Sequence, residues 1–263
     1  MELIEVRGRR IAYRRSGGGH PLVLLHGAWS DGREWRSQLA GLSDEFDVIA
    51  WDAPGCGGSD DPPPRIGMAG YADAVADLVT ALDLGRVHLC GLSFGGGLAL
   101  AVYQRHPRVV RSLVLASAYA GWRGSLPPDE VEARLTRSRG ELDLPPATWI
   151  DSYLPGFFAR PVPPETLDLV RSIMLEVRSA GTRPMLDAFA EADLRPMLPT
   201  NTVPVLLLYG AADVRAPRPV AEALHAAIPN SELVLLPDVG HQCNLEAAEA
   251  FNAELRRFLH AAP

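Results

Sequence analysis

The chain of 263 residues contains no lysine, so all 25 of its Lys/Arg cations are arginine. Schiff-base chemistry on a lysine amine is therefore excluded. Cysteine is scarce and odd in number, with Cys56, Cys90 and Cys243 only, which rules out a disulfide scaffold. No apolar run approaches the roughly 18 residues that a membrane helix needs. The first residues, Met1-Glu2-Leu3-Ile4-Glu5-Val6-Arg7, alternate and carry charge, unlike a signal peptide. Positive charge is in deficit, 25 basic against 32 acidic residues, so nothing resembles the basic footprint of a nucleic-acid binder. The pattern predicts a protein that binds neither membrane nor nucleic acid, cytoplasmic, with reduced thiols.

What is present is a strand–helix rhythm. Leu3–Val6 and Arg10–Arg15 flank Gly8 and predict a hairpin. Short Val/Ile/Leu-rich runs follow at Pro21–Leu25, Asp47–Trp51, Val87–Cys90, Ser112–Ala116, Val205–Tyr209 and Glu232–Leu236. Near-continuous apolar strands are what a parallel sheet covered on both faces requires. Helical periodicity fills the gaps at Met68–Leu84, Leu98–His106, Pro219–Ile228 and Leu245–Leu259. The reading is an α/β protein with a mostly parallel, doubly wound sheet. The rhythm stops between residues 121 and 201, where proline pairs separate amphipathic pieces such as Asp129–Arg139 and Glu165–Val177. This predicts a core of residues 1–120 and 202–263 with a helical cap, 121–201, inserted between two strands.

Gly91-Leu92-Ser93-Phe94-Gly95 matches G-x-S-x-G. The match is weak alone, but it joins a strand to a helix, the setting in which a serine is exposed on a sharp, strained turn at the carboxyl end of a sheet. A serine hydroxyl needs a neighbouring base. Of seven histidines, His241 alone follows the last strand and precedes the last helix, on a loop that opens at the same sheet edge. Asp213 follows strand Val205–Tyr209 and is the candidate partner for the imidazole. Asp238 is too close in sequence to His241, and Asp52 is expected to organise the Pro54–Ser59 turn. For an oxyanion, the candidate donors are the N–H of Phe94 and that of Ala28, in Leu25-His26-Gly27-Ala28-Trp29, with His26 a structural member of the loop. No P-loop and no metal-ligand spacing occurs, so neither cofactor nor metal is expected.

These residues together resemble the α/β-hydrolase superfamily: His26-Gly27, Asp52-Ala53-Pro54-Gly55 with Gly57-Gly58-Ser59, Gly91 to Gly95, Gly210 to Asp213, and Gly240-His241. The resemblance spans residues 5–260 outside the insertion. It implies a Ser93–Asp213–His241 triad and hydrolysis of a small-molecule ester or lactone through an acyl-enzyme. Dehalogenases and epoxide hydrolases share the layout but use an aspartate nucleophile, and Ser93 argues against both. Ala28-Trp29-Ser30-Asp31 departs from the Gly-Pro-Gly pattern of carbon–carbon bond hydrolases. The insertion, with Phe189-Ala190-Glu191-Ala192-Asp193-Leu194-Arg195, is similar to that of 3-oxoadipate enol-lactonases. Carbon–carbon cleavage, thioester hydrolysis and cofactor-free perhydrolysis use the same triad, and a ligand-binding receptor or regulatory protein can keep the same fold. The cap aromatics Trp122, Trp149, Tyr153, Phe157 and Phe158 offer an apolar pocket, with Trp29, Trp122 and Phe157 the candidate substrate contacts. The cap arginines, Arg134 and Arg137 among them, are expected on solvated helix faces.

Overall fold

A computed structural model describes residues 1–262. The chain opens with strands β1 (Glu2–Val6) and β2 (Arg9–Gly17), paired antiparallel. Both residues of the turn between them, Arg7 and Gly8, have positive φ, which matches the twist of a two-residue hairpin. Then come β3 (His20–Leu25), α1 (Arg36–Leu42), β4 (Phe46–Trp51), α2 (Gly67–Ala81), β5 (Val87–Leu92), α3 (Phe94–Arg105) and β6 (Val110–Ala116). After a long strandless stretch holding α4 (Pro128–Leu142), α5 (Pro164–Leu175) and α6 (Ser179–Glu191), the sheet resumes. It continues with β7 (Val205–Gly210), α7 (Arg218–Ala227), β8 (Ser231–Leu236), α8 (Cys243–Glu246) and α9 (Ala248–Ala261).

The eight strands lie in the order β1-β2-β4-β3-β5-β6-β7-β8, and all pairs from β4 onward are parallel. Strand alternation explains why the central runs are apolar throughout. Val23, Leu25, Leu207 and Tyr209 face one core, shared with α2, α3 and α7. Leu22, Leu24, Leu206 and Leu208 face the other, shared with Trp35 and with Phe251, Leu255 and Phe258 of α9. Each such side chain contributes about 1.5–3 kcal/mol by leaving water. The predicted Leu245–Leu259 helix is two helices: at Ala247 the backbone turns to φ −130, ψ 50, so α8 and α9 are separate. No helix among the described residues is long and apolar enough to cross a membrane.

The strandless stretch lies over the carboxyl ends of the parallel strands. It is more than proline-separated helices, because Pro184 lies inside α6. A proline there forfeits one backbone bond. The loss is tolerated where the helix buries Met185, Leu186 and Phe189. The start of α6 docks on the core by backbone: a Cβ on Gly181 would collide with the Gly55 carbonyl. Arg178 adds bonds to the carbonyls of Gly57 and Ser59, each 2.7 Å.

Alanine is the better helix former, so on an exposed helix Gly181→Ala would stabilise. Against Gly55 it is expected to destabilise, by about 1–3 kcal/mol, as read by urea unfolding. A gain in stability would show that the two segments are not in contact.

Candidate active site

Ser93 links β5 to α3 with φ 53 and ψ −109, a left-handed conformation that costs a non-glycine residue on the order of 1–3 kcal/mol. The flanking glycines make the bend possible. A Cβ on Gly91 would strike the Gly95 carbonyl, and one on Gly95 would strike that of Leu25. Strand, turn and helix are therefore in backbone contact, and Ser93 stands at the mouth of the sheet.

His241, from the loop after β8, and Ser93 both line one cavity of about 220 Å³. Asp213, from the loop after β7, accepts from His241 Nδ1 at 2.9 Å. Its other oxygen accepts the N–H groups of Arg215 (2.8 Å) and Ala216 (2.9 Å). Burial alone would raise the Asp213 pKa. The nearby His241 ring, its hydrogen bond and the two N–H donors outweigh burial and hold the carboxyl below its ordinary value. An ionised carboxylate only accepts, so Nδ1 carries a proton, and in the neutral imidazole that tautomer leaves the Nε2 lone pair free. No hydrogen bond joins Ser93 Oγ to Nε2 among the described residues; catalytic contacts of this kind are often loose before substrate binds.

Ala28 also lines the cavity, in the loop after β3. Phe94 is the first residue of α3, and its ring is buried against Tyr71 and Phe189, so what it brings to the turn is its backbone. The N–H groups of Ala28 and Phe94 find no acceptor among the described residues. His26 stays within its loop: Nδ1 donates to the Gly27 carbonyl at 2.8 Å, and Nε2 accepts the Ala53 N–H at 2.9 Å. Asp52 ties three segments together through the N–H groups of Gly32 and Gly58 and the guanidinium of Arg14. The Asp238 side chain is exposed, away from this network.

Trp29, Trp122 and Phe157 all border the cavity. Trp29 has φ 66 and packs on Trp149 and Tyr153. Phe157 stacks on His241, and its carbonyl accepts the Gln242 N–H at 2.9 Å. Trp149 stands behind Trp29, outside the cavity wall. Arg134 corrects the sequence reading: it is half-buried, lines the cavity, and donates to Tyr119 Oη and to the Arg215 carbonyl. Arg137 also borders the cavity but stays exposed, as a solvated face implies. Tyr119, Val214, Arg215 and Gln242 were not singled out from sequence. Position carried the available signal: Arg215 is two residues beyond Asp213, Gln242 follows His241, and Tyr119 leaves the carboxyl end of β6. Burial lowers the Arg215 pKa from its ordinary value, yet an arginine stays protonated.

Beneath the site, buried Glu34 accepts the Gly27 N–H at 3.0 Å, and its backbone carbonyl accepts from Asn244 Nδ2 at 3.1 Å. Gln38 Nε2 donates to the Asn244 carbonyl at 3.1 Å. The loop of Gly27 and Ala28 is thus braced to the segment that follows His241. Glu246 accepts the N–H groups of Gly240, Ala159 and Arg160, joining the same segment to the strandless stretch.

A sequence profile described as the alpha/beta hydrolase family matches residues 22–254. The chain belongs to that family. AB hydrolase superfamily protein YisY of Bacillus subtilis is 30% identical, with 92% of each chain covered. Among solved structures, a thermophilic esterase of Thermogutta terrifontis, with malate bound, superposes with a TM-score of 0.92 at 28% identity over 99% of each chain. The enol-lactonase of Burkholderia xenovorans superposes with a TM-score of 0.88 at 28% identity, covering 98% of this chain and all of that one.

Burial pushes the Glu34 carboxyl up to about 8, against the Ser30 and Gly27 hydrogen bonds that favour the ion. Between pH 4.5 and about 8 the unfolded chain releases this proton and the folded protein keeps it, so the residue's contribution to stability falls as pH rises. Glu34→Gln should match the unaltered protein below pH 4.5 and become more stable toward about pH 8, by on the order of 4 kcal/mol. Urea unfolding across that range checks this; a difference independent of pH would mean that Glu34 is ionised in the fold.

Proposed function

We propose that this hydrolase is a serine esterase or lactonase, with Ser93 as nucleophile, His241 as general base and Asp213 as the residue that orients and stabilises the imidazole. The observation that carries the reading is the strained Ser93 turn opening into the same cavity as a His241 whose Nδ1 is held by Asp213. Ser93 Oγ attacks the substrate carbonyl carbon while its proton passes to His241 Nε2. The resulting oxyanion takes hydrogen bonds from the Ala28 and Phe94 N–H groups, which have no competing acceptor. Each such donor is worth about 2.7–4 kcal/mol at the transition state, by analogy with donor deletions elsewhere. The tetrahedral adduct collapses, the ester C–O bond breaks, and the alkoxide leaves with the proton from His241. Water, deprotonated by the same imidazole, then attacks the acyl-enzyme and frees the acid and the serine. No step calls on a metal or a cofactor.

The cap, residues 121–201, closes this site and supplies Trp122 and Phe157, with Trp29 from the core, as its apolar walls. An esterase and an enol-lactonase among the structural neighbours support ester and lactone bonds over carbon–carbon cleavage.

Ser93→Ala is expected to abolish turnover of short p-nitrophenyl esters and labelling by a fluorophosphonate. Asp213→Asn should keep labelling at a reduced rate, with kcat down by about 10³–10⁴ from the wrong imidazole tautomer. Steady-state kinetics and intact-protein mass spectrometry read both. Undiminished ester turnover in Ser93→Ala would overturn the assignment.

A further inference from the structure

The charge lining the cavity is one-sided. Arg134, Arg137 and Arg215 contribute to its wall, and no aspartate or glutamate does. This is a local inversion in a chain with formal charge −7. Two of the three are matched from outside the cavity: Arg134 pairs with Glu130 at 2.6 Å and Arg137 with Glu141 at 2.8 Å. Arg215 is not. Its guanidinium forms no ion pair and donates no hydrogen bond to any described residue. It lies 5.2 Å from the ring centroids of both Tyr153 and Phe157. Those ring faces offset part of the cost of partly desolvating the cation, on the order of 0.5–2 kcal/mol each. They supply no acceptor for a guanidinium fork of five N–H donors.

The residue's backbone is fixed. Its N–H donates to Asp213, and its carbonyl accepts from both Tyr119 Oη and Arg134. The side chain therefore starts from a set place beside the Asp213–His241 pair, and its charged guanidinium lies against two rings without an anion. Phe157 touches both ends of this arrangement, stacking on His241 and lying under Arg215.

We propose that the site selects esters or lactones whose acyl part carries a free carboxylate, with the Arg215 guanidinium as its anchor between Tyr153 and Phe157. This deepens the hydrolase reading and rests on it. A planar fork takes a carboxylate through two parallel bonds, which fixes the far end of the acyl chain and so the approach of its carbonyl to Ser93. Arg215 acts on binding and specificity; the bond-making steps remain those of Ser93 and His241.

The test pairs monomethyl succinate, glutarate and adipate with methyl butyrate, valerate and hexanoate, in which a methyl group replaces the carboxylate. Methanol release gives kcat/KM for each. In the unaltered protein at least one hemiester should exceed its neutral partner by about tenfold or more, a difference of about 1.4 kcal/mol. In Arg215→Gln that ratio should collapse, chiefly through KM, and in Arg215→Lys it should be intermediate. Because the reading is a ratio, a general loss of activity from disturbed packing leaves it interpretable. Calorimetric binding of free succinate, glutarate and adipate gives a readout that needs no turnover: at least one should bind the unaltered protein and be lost in Arg215→Gln. Preference for the neutral ester in every pair, or a ratio and dicarboxylate affinity unchanged by Arg215→Gln, overturns the proposal. If none of the six esters is hydrolysed, the esterase reading falls while the calorimetry still decides the carboxylate anchor.

Discussion

Much of this molecule is arranged around one bend. The left-handed conformation at Ser93 survives because α3 approaches both β5 and the end of β3 until backbones touch, an approach open only to glycine at position 91 for the first and 95 for the second. The contact is set in turn by two buried cores, one on each face of the sheet, which leave the strands no freedom to separate. Hydrophobic burial, which has no direction of its own, is thus converted into a fixed direction for one hydroxyl. The same packing leaves the first N–H groups of α3 without intrahelical partners, as any helix start must.

The sheet was legible because every central strand is buried on both sides, so the apolar runs are short, nearly unbroken and spaced by helical periodicity. Motifs at the carboxyl ends of those strands then fall on one edge as a matter of topology, which is why Ser93, His241 and Asp213 could be named from the chain alone. The side chains beyond the motifs were harder. A charged helix such as α4 offers no periodic signal for which face looks inward when the space it covers is polar. Arg134 therefore reads as a surface residue although it is half-buried in the cavity wall, while Arg137 borders the cavity and is exposed as well. Arg215 and Gln242 adjoin motif residues, yet adjacency does not reveal orientation. The helix through Pro184 had no local signal either, since tertiary packing of Met185 and Phe189 outweighs the preference against proline.

The strandless stretch between β6 and β7 is joined to the sheet portion at several unlike places. It meets Gly55 by backbone contact, the Gly57 and Ser59 carbonyls through Arg178, and the His241 loop through Glu246. Between these joints its aromatic residues meet Trp29 and His241 directly. Both parts line the same cavity, so its shape is a property of both.

The polar struts under the floor of the cavity have a kinetic meaning. Gly27 is tied to Glu34, Glu34 to Asn244, and Asn244 to Gln38. Two loops that leave the sheet at different strands therefore share a single foundation. When thermal motion displaces one, the other is carried along, and the spacing between them changes less than the position of either. A short-lived charged species formed between those loops would meet a frame that keeps its dimensions while the surrounding protein breathes.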